Sequence, residues 1–254
     1  MYERMFYTNT CSLVKGPSDS DSHNPFVAVD ALRGEEHESS WEAAPAVALI
    51  IVAQLVLALV SRSQDWRLWD LPWWVWLLPI GPELVLLVPL AWRRPRRRLE
   101  QAGHRRTVAL ALLGLISLAN ALLLLAVIAS LIRGDEKSGA QLLLKAFTVW
   151  GTNVITFGLW FWEVDRGGPL RRLEPDPPQP DFQFPQMENP QFAEPGWRPG
   201  VLDYLYVSST NAIAFSPTDA MPLTRRAKLL MLTESTLASL TVLLVAARAV
   251  NIFK

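Results

Sequence analysis

Charged side chains inside long apolar stretches are the residues of this chain that could do chemistry. Glu83, Lys145, Glu234 and, nearer a span end, Arg248 all interrupt such stretches. A charge in hydrocarbon is costly, so it pairs with another group or lines a polar path. Glu83 follows Pro82, whose missing N–H frees a carbonyl one turn back and makes a polar spot in mid-span. Glu234 is flanked by Thr233, Ser235 and Thr236, and Asn120 and Asn153 add polar groups at membrane depth. Two readings follow. In one, Glu83, Asn120, Asn153 and Glu234 line an ion or proton path. In the other, each acid pairs with Lys145, an Asn or a hydroxyl and fixes helix packing, at about 0.6–2 kcal/mol per contact. The second carries more weight, because one or two acids per bundle are common without transport.

Other chemistry is poorly provided for. The three histidines, His23, His37 and His104, fall in the N-terminal tail and an Arg-rich loop, and Cys11 is the only cysteine. Together they offer no metal triad, no cysteine-rich zinc site and no disulfide. HExxH, GxSxG, Walker and GxGxxG motifs are absent, so the sequence points to no enzyme and no cofactor.

The elements that hold these residues are membrane spans. The chain has 254 residues, 50% of them hydrophobic and 19% charged, and the apolar ones come in blocks. A bilayer core about 30 Å thick needs about 20 apolar residues per helix. Ala43–Val60, Leu71–Trp92, Val108–Ile132, Ala140–Trp162 and Leu229–Val250 meet that length. Val201–Ser216 is ambiguous: Asp203, Ser208, Ser209, Thr210 and Asn211 make it too polar to face lipid. It reads as a shielded short span or as a helix that enters and turns back. Tryptophans gather at span ends (Trp66, Trp69, Trp73, Trp74, Trp76, Trp92, Trp160, Trp162), where indole finds both an apolar and a wet side. Ser117 with Ala121, and Gly151 with Gly158, mark faces where helices approach closely.

Charge placement orients the bundle. The loop after the second span holds Arg93, Arg94, Arg96, Arg97, Arg98, Arg105 and Arg106 against Glu100 alone. Such a loop stays cytoplasmic, which puts the N-terminus inside as well. Counting six spans leaves sixteen basic residues inside and seven outside, and five spans leaves seventeen and six, so charge does not choose. The same arginines suit anionic headgroups. With Lys plus Arg matching Asp plus Glu at 24 each, a nucleic-acid partner is excluded. Residues 1–39 read as a disordered acidic cytoplasmic tail, with no signal peptide. Residues 163–200 form a proline-rich cytoplasmic loop in which neither helix nor sheet is expected. Within it, Phe182, Phe184 and Phe192 alternate with polar residues, as in a strap lying on the bundle mouth or a plain linker.

The last fifty residues carry a resemblance. Asp203, Tyr204, Tyr206, Phe215, Ser216, Asp219, Arg225 and Asn251 stand in an order that resembles the C-terminal part of an uncharacterised bacterial integral membrane family, the DUF1345 group. The resemblance covers about a fifth of the chain and implies a multi-span protein without implying an activity. The stretch Ala214-Phe215-Ser216-Pro217-Thr218-Asp219, followed by Pro222, also looks like a degenerate potassium-channel pore turn. Asp219 and Pro222 match that pattern, but both filter glycines, which aim successive carbonyls at the ion, are missing. A turn that ends one helix and caps the next, through Asp219 or Thr224, explains the same residues locally.

The sequence therefore predicts an all-α membrane protein, a polytopic bundle of five or six transmembrane helices in the plasma membrane. Residues 43–162 form a four-helix region and 201–254 a semi-polar helix with a final span. A channel- or transporter-like activity and a non-transporting scaffold both fit, and a homo-oligomer is compatible with either.

Overall fold

In hydrocarbon an apolar run can satisfy its backbone only by closing it into a helix. The computed structural model describes residues 25–64, 72–91, 105–133, 139–216 and 219–252, and most of them are helical. Helix α1 is Pro25–Ser63, α2 is Ile80–Ala91, α3 is Arg105–Arg133 and α4 is Gly139–Val164. After a connecting segment come the one-turn helix α5 (Pro185–Glu188), then α6 (Val201–Ala214) and α7 (Arg225–Ile252). The chain divides into two units, Met1–Glu35 and Glu36–Lys254. The described part of the first, 25–35, is helical.

Among the described residues, four helices are long and apolar enough to cross a membrane: Ala43–Ser63, Arg106–Arg133, Gly139–Gly167 and Arg225–Ala247. They account for four of the five or six spans expected. Within the apolar run 71–92, the described residues 72–91 are broken into a 3-10 turn, Trp73–Leu77, and α2. Pro72, Pro79 and Pro82 remove amide donors through this stretch and divide it.

Apolar side chains form two main clusters, one at each end of the bundle. The first joins Ala43 and Val47 of α1, Leu113 and Ile116 of α3, Phe157 and Phe161 of α4, and Tyr204 and Val207 of α6. The second joins Leu57 of α1, Val75 and Trp76 of the 3-10 turn, Leu123 and Val127 of α3, and Leu142 and Val149 of α4. Helices α1 and α3 thus run the same way and α4 runs against them. Gly158 permits the tightest packing: a Cβ there would lie 3.1 Å from the Cα of Leu205 in α6. Gly151, singled out with it, has open space around it. Leu115, Leu118, Leu122 and Leu125 form an exposed stripe along α3, as a lipid-facing surface requires.

The segment between α4 and α6 departs from expectation. Phe182–Gln183 (β1) pairs antiparallel with Met221–Pro222 (β2), so a strand pair forms in spite of the prolines. It is possible because the ribbon has two strands of two residues, and Pro222 needs to donate to no further strand. Phe182 and Phe184 are buried in the first cluster, whereas Phe192 is 83% exposed. The proline-rich segment is therefore a folded strap. Residues 25–39, expected within a disordered tail, are helical; residues 1–24 lie outside the described residues.

Candidate functional site

The four predicted polar residues share one level of the bundle. Each falls in sequence between residues of the strap-end cluster and residues packed farther along: Asn120 between Ile116 and Leu123, Asn153 between Phe157 and Val149, Glu234 between Met231 and Ala238. Glu83 reaches the same level through Gln54, which lies between Ile51 and Leu57. All four are buried, with Glu83 and Glu234 at 0% exposure.

At that level Glu83, Asn120 and Glu234 form separate inter-helix contacts. Gln54 Nε2 of α1 donates to Glu83 Oε1 of α2 at 2.6 Å. Asn120 Nδ2 of α3 donates to the Val149 carbonyl of α4 at 3.4 Å. Glu234 of α7 is held by α6: Asn211 Nδ2 donates to its Oε2 at 2.7 Å, and Ser208 Oγ bonds its Oε1. Ser208 Oγ also lies 2.6 Å from the Val154 carbonyl of α4, and Asn211 Nδ2 also donates to Met231 O. Ser208 carries one hydroxyl proton for two acceptors. Both contacts are hydrogen bonds at once only if the Glu234 carboxyl brings a proton of its own. Several buried atoms of the layer have no partner among the described residues: Gln54 Oε1, Glu83 Oε2, Asn153 Nδ2 and Thr156 Oγ1. Lys145, the basic group named with them, is fully buried and engaged.

The positions of the pore-like turn lie elsewhere. Phe215 ends α6 in the left-handed conformation (φ 55°), and Phe215, Ser216 and Asp219 are exposed. Thr218 lies outside the described residues, as do Arg93, Arg94, Arg96, Arg97 and Arg98. Thr224 performs the local job foreseen for it, its Oγ1 accepting from the Ala227 amide at 3.3 Å at the start of α7.

A second polar cluster ties the strap down. At the end of α4, Asp165 Oδ1 accepts the Asp181 amide at 2.6 Å and the Phe182 amide at 3.2 Å. Its Oδ2 accepts the Tyr204 hydroxyl at 2.6 Å. Arg172 donates to the Trp162 carbonyl at 2.7 Å and lies over the Tyr204 ring, 5.2 Å from its centroid. Asp181, itself fully buried, receives Arg226 Nε and Nη2 at 2.6 Å each, together with Thr224 Oγ1 and the Arg166 amide. Burial alone would raise the Asp181 carboxyl, but the bonds from Arg226 and Thr224, with the Arg226 charge, outweigh it and hold it below the ordinary aspartate value. These contacts bring the start of α7 to the end of α4. The stretch 201–224 therefore leaves and rejoins the same end of the bundle, as a helix that turns back does.

Sequence reading missed this second cluster. Asp165 and Asp181 lie 16 residues apart in a proline-rich stretch, and no spacing rule pairs them. The one available signal was an aspartate heading the alternating Phe182 and Phe184. Comparison with family models, with curated proteins and with solved structures finds no match for this chain.

Proposed function

We propose that this chain is an integral membrane scaffold, a multi-pass bundle that holds its strap rigidly at one membrane face and conducts nothing. The observation that carries this reading is that, among the described residues, apolar clusters flank the polar layer on both sides. The aromatic cluster of Phe157, Phe161, Phe182 and Tyr204 covers it on the strap side, and Leu57, Trp76, Leu123 and Val127 cover it on the other. A pore would need polar walls along the axis, whereas here the polar groups make one belt of helix-to-helix ties.

In the arrangement we favour, the Arg-rich loop, the strap and the N-terminus are cytoplasmic in the plasma membrane. The chain then crosses five times, with 73–91 as a broken second pass and the C-terminus outside. The likeness to the uncharacterised membrane family agrees with this class and adds no activity.

The test is flux. Proteoliposomes loaded with a pH-sensitive dye, or with a potassium indicator, should leak no faster than empty ones, and Glu83→Gln and Glu234→Gln should change nothing. One observation favours a transporter with an occluded polar site: the unpartnered Glu83 Oε2, Asn153 Nδ2 and Thr156 Oγ1 resemble the lining of a small wet cavity. Flux above the empty control that disappears in Glu83→Gln or Glu234→Gln would establish that reading in place of the scaffold.

A further inference from the structure

Between the start of α3, the end of α4 and the start of α7 lies a groove of about 420 Å³. Its lip carries Arg106 and Arg226, and its walls are Leu110, Trp160, Leu229 and Leu230. We infer that this groove binds one anionic phospholipid, with the phosphate between the two arginines and an acyl chain along the leucines.

Several independent features lead there. Arg106 and Arg226 stand at the first turns of helices whose apolar spans begin at 106 and 225, which puts them at headgroup level. Neither helix has an acidic residue in its first turn. Cations at helix N-termini oppose the helix dipole; at α7 the Asp181 carboxylate offsets this through Arg226 and Thr224, which leaves the start of α3 as the end a bound anion would serve. A phosphate would supply negative charge at the start of α3. Arg106 Nε is buried and has no partner among the described residues. Arg226 gives Nε and Nη2 to Asp181, and this leaves Nη1 to donate. The Trp160 indole is already committed to Ser117 Oγ at 2.9 Å, so it serves as wall and not as donor. Leu229 is 63% exposed beside the charged lip, a surface with no use for a free inorganic anion and a good fit to a hydrocarbon chain. Charge at the rim with apolar walls below fits an anionic lipid.

The inference needs only that these helices lie in a bilayer, whether or not the bundle conducts. Its test uses the full chain, purified in a neutral detergent and titrated with phosphatidylglycerol, phosphatidylcholine or inorganic phosphate, with bound lipid counted by native mass spectrometry. One phosphatidylglycerol should be retained about tenfold more tightly than phosphatidylcholine, a difference of about 1.4 kcal/mol, and Arg106→Gln should erase that preference. Inorganic phosphate should not compete. Arg133→Gln, at the far end of α3, should bind as the parent does. Hydrogen exchange on the unaltered chain gives a readout independent of any variant: phosphatidylglycerol should slow amides at the starts of α3 and α7. Equal retention of the two lipids, unchanged preference in a folded Arg106→Gln, no protection at those helix starts, or displacement by inorganic phosphate would each overturn the proposal. A chain that proved soluble without detergent would instead refute the membrane reading itself.

Discussion

Replacing Asp181 by Asn keeps the shape of the side chain and removes its charge. In the native protein the Asp181 carboxylate is fully buried and takes four donors: Arg226 Nε, Arg226 Nη2, the Thr224 hydroxyl and the Arg166 amide. An Asn offers one acceptor oxygen and turns an NH2 toward donors, so at least two of these bonds fail. Hydrogen bonds to a charged group contribute about 1.5–3 kcal/mol each and are not additive. The Arg226 side chain is 50% exposed, so water takes up much of what it loses. The net cost should be about 2–3 kcal/mol, toward the low end for a pair with one wet partner. It should fall on the strap, because the spans keep their own packing. Hydrogen exchange reads that locally: amides of Phe182 and Leu223 should open about 30- to 160-fold faster, while those of α3 stay unchanged. A pH series gives the sign. The native carboxyl lies below its unfolded value, so its contribution is complete above about pH 4 and is lost as pH falls through the depressed native value. Strap exchange in the parent should therefore accelerate on acidification below about pH 4, and in Asp181→Asn it should lack that component. If the variant exchanged like the parent at neutral pH, the idea that this carboxylate anchors the strap would be wrong.

Other expectations concern the polar layer, helix packing and topology. Ser208→Ala removes a bridge between Glu234 and the Val154 carbonyl and should lower thermal stability in detergent by about 1 kcal/mol. Glu234→Gln, whose amide can donate to Ser208 and accept from Asn211, should lower it by less; a larger loss for Gln would show that Glu234 is held as a carboxylate. Gly158→Val places carbon atoms against Leu205, and should cost about 1–3 kcal/mol in melting experiments, whereas Gly151→Ala should be nearly neutral. Because 201–224 rejoins the strap end, a reporter after Lys254 and a tag in the strap should label opposite membrane faces. The same face for both would mean that this stretch crosses.

The long spans were legible in the amino-acid sequence because their signal is local. About 20 apolar residues in a row have no other way to satisfy their backbone, so the helices from Ala43, Arg106, Gly139 and Arg225 were visible as soon as length was counted. Burial of Glu83, Asn120, Asn153 and Glu234 followed from the same reasoning, since hydrocarbon does not tolerate them facing outward. Their partners did not follow. Gln54 lies 29 residues from Glu83, and Ser208 lies 26 from Glu234, and only helix packing decides which of several polar groups comes within reach. The break inside the second apolar run was not foreseen, because composition counts apolar residues and ignores how Pro72, Pro79 and Pro82 divide them. The strap was underread for the converse reason. Proline restricts a local backbone, but two buried aspartates, an arginine from a distant helix and two inward phenylalanines supply the tertiary bonds that order it, and such bonds between remote residues exist only once the chain has folded.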